Sequence, residues 1–209
     1  AYSVLLAPRP ADWDARQKVT GYWTQPAPAD YGPPPALAEF LAAGPPPVYV
    51  GFGSLLLGRN PAGVTRTLVE ALGERRAVLF RGWGDVDDSV LPATIFATDA
   101  VPHAWLFPRV AAVVTHGGAG TVAAALRACV PPVVVPFFGD QRFWGAQVQR
   151  LGIGPPPIPR AALTAPALAG AIEHALSDTA MRQRAAALGA QLRAEEGAAV
   201  AAELIAQLV

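Results

Sequence analysis

The residue types best suited to chemistry lie in the stretch THGGAGTVAAAL, residues 115–126, where three glycines follow a histidine within four positions. Glycines at the start of a helix let backbone amides approach an anion, because no Cβ atom intervenes. The helix dipole favours negative charge at that end. His116 and Thr121 would add a ring donor and a hydroxyl, so the stretch suits a diphosphate. A tight turn around a buried histidine is the alternative interpretation.

Two further stretches carry polar groups that could bind the same ligand. GFGS, residues 51–54, offers a second glycine loop with Ser54 as a phosphate ligand, although a plain turn after a strand explains it equally well. Asp140 and Gln141 supply a carboxylate and a carboxamide at a predicted helix start. Such mixed donors and acceptors suit sugar hydroxyls. A simple N-cap aspartate is the alternative for Asp140.

A flat aromatic group could be held by RGWGD, residues 81–85, and VPHAW, residues 101–105. Trp83 could stack on a nucleobase, and the backbone of Val101 with His103 could contact its edge. Core packing of Trp83 is an equal alternative. Asp85 and Asp87 form the only acid pair that resembles a metal site, and their glycine-rich, acidic surroundings favour a solvated turn instead. No metal is expected.

These residues must be positioned by regular elements, and short apolar runs alternate with helical patterns along the chain. Such strands, each followed by a helix, predict a doubly wound parallel sheet with a Rossmann-like α/β fold. Residues 1–46 are expected to form a lead-in, and residues 47–209 a single domain with a helical tail. The predicted strands are 48–54, 77–84, 93–98, 111–118, 131–138 and 152–159. The predicted helices are 36–42, 61–73, 140–151 and three pieces within 165–208.

The polar stretches share one position in this architecture, because each follows a predicted strand. In open α/β sheets, ligands bind beyond the carboxyl ends of the strands. The sequence therefore predicts one site at that edge of the sheet.

Composition narrows the class of protein. The chain has 209 residues, 52% of them hydrophobic and 15% charged, with a formal net charge of zero. That balance predicts a sizeable core and argues against nucleic-acid binding, which needs a basic surplus. One cysteine and no membrane-length apolar run favour a cytoplasmic protein. The first residues have no basic region typical of a signal peptide and suggest a cut within a longer chain.

The block VTHGGAGTVAAALRACVPPVVVPFFGDQRFWGAQV, with VPHAWLF before it and YVGFGS upstream, resembles the nucleotide-sugar half of two-domain (GT-B fold) inverting glycosyltransferases. Within that UDP-glycosyltransferase superfamily, it is most similar to the sterol glucosyltransferase type and its bacterial natural-product relatives. The resemblance implies the C-terminal, donor-binding half of a transferase. That enzyme would move a hexose, with inversion and without metal, to a hydroxyl of a lipid, sterol or polyketide-like molecule.

The resemblance also assigns roles to individual residues. The diphosphate would be held by Ser54, His116, Gly118, Gly120 and Thr121. The base would meet Val101 through its backbone, and the sugar would meet Asp140 and Gln141. The family's catalytic base is a histidine of the N-terminal domain that no residue here matches, so the fragment alone is expected to be inactive.

The identity of the donor depends on one departure from the family pattern. Plant members carry a ribose-binding glutamate eight residues after the motif histidine, where this chain has Ala124. UDP- and dTDP-sugars therefore both remain open, with UDP-glucose as the default. The hydrophobic acceptor would bind through the N-terminal domain, and any peripheral membrane contact is expected only in the full-length protein.

Two other functions fit the same architecture. A nucleotide-sugar epimerase would act on the donor itself, and a non-catalytic nucleotide-sugar-binding module would recognise it without turnover. Product analysis with a labelled donor separates the three. A dinucleotide dehydrogenase is disfavoured, because the Gly-x-Gly-x-x-Gly fingerprint is absent after the first strand.

Overall fold

Five short parallel strands form the centre of the protein, in the order β3-β2-β1-β4-β5. The computed structural model describes residues 1–53, 61–82, 86 and 88–207. All four strand pairs are parallel, which confirms the predicted doubly wound α/β fold. The strands are β1 (Val48–Gly51), β2 (Ala77–Phe80), β3 (Ile95–Thr98), β4 (Ala112–Thr115) and β5 (Pro132–Val134).

Helices follow the strands and cover both faces of the sheet. The three helical pieces predicted within residues 165–208 are confirmed as the last three helices. Two of them begin with side-chain caps, since Thr164 accepts a hydrogen bond from Ala167 N and Asp178 from Met181 N. The helices are α1 (Pro35–Ala42), α2 (Pro61–Leu72), α3 (His103–Leu106), α4 (Ala119–Arg127), α5 (Gln141–Arg150), α6 (Ala165–Ser177), α7 (Thr179–Arg193) and α8 (Gly197–Ala206).

The two faces of the sheet pack against different helices, because successive strand residues point to opposite sides. Val48 and Val50 of β1 pack in one apolar cluster with residues of α2 and α6. Tyr49 lies between them in sequence and packs on the opposite face, in a cluster with residues of α1, α3 and α4. Every residue of β1, β4 and β5 is buried, as their apolar sequences predict, whereas the edge strand β3 is partly exposed.

The predicted sixth strand over residues 152–159 is wrong. In the described part of the chain this segment is irregular and adds no strand to the sheet. Prolines at 155–157 and 159 have no N–H to donate, so the segment cannot form a ladder. Ile158 is the exception within that run, and its N–H donates to Val134 O at 2.9 Å.

The lead-in segment packs on the domain through a separate apolar cluster. Leu6 and Tyr22 are buried there against residues of α4, α5 and α7. The Ser3 hydroxyl donates to Glu195 Oε1 at 2.5 Å, between α7 and α8. No helix among the described residues is long and apolar enough to cross a membrane.

Candidate functional site

The predicted site residues that the structure describes lie beyond the carboxyl ends of the strands, with His116 at the centre of the sheet. β1 and β4 are neighbours in the sheet. The chain leaves β1 toward β2 on one side and leaves β4 toward β5 on the other, so the crossovers diverge between β1 and β4. Gly51 of β1 pairs with Thr115 of β4, which brings Gly53 and His116 together just beyond the carboxyl ends. A crevice at such a divergence is the usual ligand position in this architecture.

The imidazole of His116 is held between two glycines. A Cβ atom on Gly53 would lie 3.1 Å from Cε1 of the ring, and one on Gly118 would lie 2.5 Å from Nε2. Any side chain at Gly118 would therefore displace the ring. The glycines at these two positions make room for the histidine itself, a role that the sequence analysis did not assign.

The side chain of Thr115 contacts one ring nitrogen of His116. Thr115 Oγ1 lies 3.4 Å from Nδ1, and the same oxygen accepts the N–H of Gly117 at 3.4 Å. The Thr115 hydroxyl has one hydrogen and two lone pairs, so it can either donate to Nδ1 or accept a hydrogen bond from it. The other ring nitrogen, Nε2, lies toward Gly118 at the start of α4. Burial lowers the pKa of His116, against an opposing effect of the Asp140 charge, so the ring is neutral at pH 7.

The start of α4 presents unpaired backbone amides. Gly118 is the N-cap and gives no side-chain cap, and the first amide bonded within the helix is that of Val122. The amides of Ala119, Gly120 and Thr121 have no backbone partner among the described residues, as expected for a first turn. Gly120 is exposed, and a Cβ there would meet open space. These amides, together with Nε2 of His116, can bind an anion.

Gly117, the glycine directly after His116, joins two parts of the site. Its φ of +89° favours glycine. A Cβ at this position would lie 2.6 Å from Val134 Cγ1 and 3.1 Å from Gln141 O. The turn after β4 therefore contacts β5 and the start of α5 directly.

A cavity of about 340 Å³ opens beside β2 and β3. Val101 and His103 line it, as do the terminal strand residues Phe80 and Thr98. The N–H and C=O of Val101 have no hydrogen-bond partner among the described residues, so both can bind the edge of a ligand. His103 stacks on Phe107, with ring centroids 4.3 Å apart. Burial, and then the nearby His116, lower the pKa of His103.

Asp140 and Gln141 lie on the other side of His116 and differ in their environments. Asp140 is exposed, makes no cap bond, and accepts the indole N–H of Trp144 on Oδ2 at 2.8 Å. Gln141 is buried, and its Oε1 accepts hydrogen bonds from the backbone N–H groups of Phe137 and Phe138 at 2.8 and 3.1 Å. The other carboxylate oxygen of Asp140 has no hydrogen-bond partner among the described residues, whereas Gln141 already orders the loop after β5.

The structure brings together most of the predicted site residues. Thr121 lies half-buried in the first turn of α4, next to Gly120. Ser54, Trp83, Asp85 and Asp87 fall outside the described residues. Within the part of the chain that is described, no three histidine, cysteine or acidic side chains form a group that could hold a metal ion.

The sequence analysis missed Thr115, Gly53 and Trp144. Gly53 becomes relevant only when β1 and β4 pair, which no local pattern reveals. Thr115 contacts its sequence neighbours His116 and Gly117. The Trp144 contact could have been found, because residues four apart lie on one side of a helical turn.

Comparisons with known proteins identify the family and the fold. Residues 82–208, more than half of the chain, match the family described as Erythromycin biosynthesis protein CIII-like, C-terminal domain. A sterol 3-beta-glucosyltransferase of Arabidopsis thaliana is 42% identical over 201 residues, which are 95% of this chain and 31% of that enzyme. The O-mycaminosyltylonolide 6-deoxyallosyltransferase of Streptomyces fradiae is 40% identical over 205 residues, 98% of this chain and 48% of that enzyme.

Solved structures show the same likeness. The glycotransferase of kitacinnamycin superposes with a TM-score of 0.76 at 30% identity, covering 97% of this chain and 52% of that one. The calicheamicin glycosyltransferase CalG4 has the same fold, with a TM-score of 0.71 at 24% identity over 93% of this chain and 49% of that one. The chain spans about a third to a half of these relatives. It belongs to the family of erythromycin biosynthesis protein CIII-like C-terminal domains, within the glycosyltransferases.

Proposed function

We propose that this chain is the donor-binding domain of an inverting glycosyltransferase and that it binds a UDP- or dTDP-sugar along the carboxyl edge of its sheet. The observation that carries the proposal is the position of His116. Its ring lies against Gly53 and Gly118, beside the open first turn of α4, between the Val101 cavity and Asp140. Three neighbouring places thus suit a base, a diphosphate and a sugar.

Each place offers the chemistry that its part of the donor needs. The backbone of Val101 has a donor and an acceptor for the edge of a base, and His103 lines the same cavity. Trp83 is proposed to stack on the base. The amides of the first turn of α4, with the Thr121 and Ser54 hydroxyls, suit a diphosphate. The free oxygen of Asp140 suits a sugar hydroxyl, whereas Gln141 has only its amide nitrogen left to donate.

In the proposed reaction, an acceptor hydroxyl attacks the anomeric carbon from the face opposite the diphosphate. The new C–O bond forms as the bond to the diphosphate oxygen breaks, and the configuration inverts. Negative charge grows on the leaving diphosphate, where Nε2–H of His116 and the α4 amides donate hydrogen bonds. Stabilisation of developing charge by fixed donors is usually the largest catalytic contribution.

The acceptor and the base that deprotonates it belong to the proposed whole enzyme. The sterol glucosyltransferase and deoxyallosyltransferase names support a hydroxyl of a sterol, lipid or polyketide-like molecule as acceptor. We propose that the base lies outside this chain, because His116 is directed to the diphosphate and His103 is stacked on Phe107. A cytoplasmic enzyme agrees with the single, free cysteine, Cys129.

Calorimetric titration with UDP-glucose, dTDP-glucose, UDP, ADP and NAD tests the donor assignment. The chain should bind uridine or thymidine diphosphates in preference to ADP and NAD. His116→Ala should weaken UDP binding by about 1.5–3 kcal/mol, because a hydrogen bond to a charged group is lost. Equal affinity of the variant and the wild type for UDP would refute the diphosphate assignment.

Product analysis tests the reaction. The complete enzyme, given a labelled donor and an acceptor, should yield glycosylated acceptor without a metal, and this chain alone should transfer no sugar. An epimerised donor would favour the epimerase alternative. Activity that is lost on chelation and restored by manganese would make Asp85 and Asp87 candidate metal ligands instead of parts of a solvated turn.

A further inference from the structure

Trp144 lies in the core and contacts Asp140, the residue proposed to bind the donor sugar. We infer that Trp144 is a positioning residue that fixes the Asp140 carboxylate for the donor sugar; the inference rests on the proposed function. The indole Nε1–H donates to Asp140 Oδ2 at 2.8 Å. That bond occupies one carboxylate oxygen and leaves the other free to accept from a sugar hydroxyl.

The indole can hold Asp140 because the ring itself is immobilised. Trp144 is only 6% exposed and packs in the apolar cluster that contains Leu6 and Val148. Tyr2 of the lead-in meets the indole edge-on, with ring centroids 6.0 Å apart, and Phe143 does so at 5.0 Å. A donor fixed by core packing holds its partner in one orientation without a further entropic cost when the ligand arrives.

Asp140 needs such a partner, because other donors compete for it. It occupies the N-cap position of α5, where an aspartate normally accepts a hydrogen bond from an amide of the first turn. The amides of Arg142 and Phe143 have no backbone partner among the described residues. Asp140 nevertheless makes no cap bond, and its carboxylate is bonded to the indole instead. Without that N–H, the carboxylate is free to turn to the helix amides and away from the sugar.

The test uses calorimetry of four proteins with two ligands. The proteins are the wild type, Trp144→Phe, Asp140→Ala and the double variant, and the ligands are UDP-glucose and UDP. Trp144→Phe removes the N–H and keeps an aromatic ring. It should weaken UDP-glucose binding about tenfold, the size expected when a hydrogen bond to a charged group is lost, and UDP binding less than twofold. In the Asp140→Ala background it should add no further loss.

Trp23→Phe is the matched control. Its indole is exposed and donates to a neighbouring threonine, Thr20, so its removal should change neither affinity. The Trp144 indole N–H resonance of the ligand-free protein gives a second readout, because it should move when Asp140 is changed to alanine. Thermal unfolding shows that the variants are folded.

Three outcomes would overturn the inference. An equal loss from Trp144→Phe in both backgrounds would show that the ring acts through packing. An equal loss for UDP and UDP-glucose would show a general effect on the site, and an unmoved indole resonance in Asp140→Ala would show that the bond does not exist. Each of these leaves the proposed function standing. If the wild type does not bind UDP at all, the proposed function fails and the inference falls with it.

Discussion

At the scale of single residues, the two histidines of the site predict how stability depends on pH. Burial lowers the pKa of His103 and of His116 below 6.5 in the folded protein. Above pH 6.5 both rings are neutral in both states, so stability is unaffected by them. As the pH falls below 6.5, the unfolded chain binds protons before the folded protein does. The free energy of unfolding therefore falls until the pH has passed the lower pKa values of the two histidines in the folded protein.

His103→Phe tests this dependence, because phenylalanine can keep the stack on Phe107 without titrating. The urea midpoint of the wild type should fall more between pH 7.5 and pH 5 than that of the variant. If the urea midpoints of the two proteins fall by the same amount, the ring of His103 titrates in the folded protein as it does in the unfolded chain.

Gln141 gives a second prediction at this scale. Gln141→Ala leaves the amides of Phe137 and Phe138 without their acceptor, so the free energy of unfolding should fall by about 1–3 kcal/mol. Gln149→Ala on the exposed side of the same helix is the control and should change it by less than about 0.5 kcal/mol. Denaturant unfolding measures both. Equal stabilities would mean that the loop after β5 is ordered by other contacts.

The position of a site residue could be predicted where neighbouring residues in the sequence set it, and not where it depends on strand pairing. The strand, glycine turn and helix around His116 are continuous in sequence, so their order predicts a ring beside open amides. Gly53 contacts that ring only because β1 and β4 are neighbours in the sheet. The burial of Gln141 could likewise not be predicted from the sequence. Its Oε1 accepts hydrogen bonds from Phe137 and Phe138 only because the loop after β5 folds back onto it.

At the scale of elements, α4 and α7 approach each other closely through a glycine. A Cβ on Gly189 would lie 2.1 Å from Leu126 O, a backbone atom that cannot rotate away. Gly189→Ala should therefore separate the helices and lower the free energy of unfolding by about 1–3 kcal/mol. Denaturant unfolding of the purified variant measures the effect.

Gly170 of α6 is the matched control. It is exposed within its helix, and a Cβ there would meet no atom within 4 Å. Gly170→Ala should stabilise the protein by about 0.5–1 kcal/mol, since alanine loses less backbone entropy in a helix. If both substitutions stabilise, the two helices are not in contact at Gly189.

The elements themselves were largely predictable, because apolar runs and helical periodicity are local signals. The five strands lie within the predicted segments, but each is shorter than predicted. At β1 and β4 the glycine-containing ends leave the sheet and lie in the candidate site. The sixth strand failed for a physical reason. Its apolar character was judged without weighing that three consecutive prolines remove the donors a strand needs.

At the scale of the whole molecule, the lead-in contributes to the core. Leu6 is fully buried among residues of α4, α5 and α7, whereas Val4 beside it is 52% exposed. Leu6→Ala should lower the free energy of unfolding by about 2–5 kcal/mol, because it leaves a cavity in the core. Val4→Ala should change it by less than about 0.5 kcal/mol. Urea unfolding compares them, and equal effects would mean that the lead-in is not part of the folded unit.

The contact made by Gly117 has a consequence for building chimaeras with other members of the family. Its Cα packs on Val134 and on the backbone of Gln141, with no side chain between them to absorb a misfit. A crossover placed between α4 and β5 would set one parent's turn against the other parent's strand at this point. Exchanges intended to alter sugar preference should therefore transplant residues 116–144 as one cassette. Cassettes that begin after α4 are expected to give less folded protein in the soluble fraction than those that begin before His116.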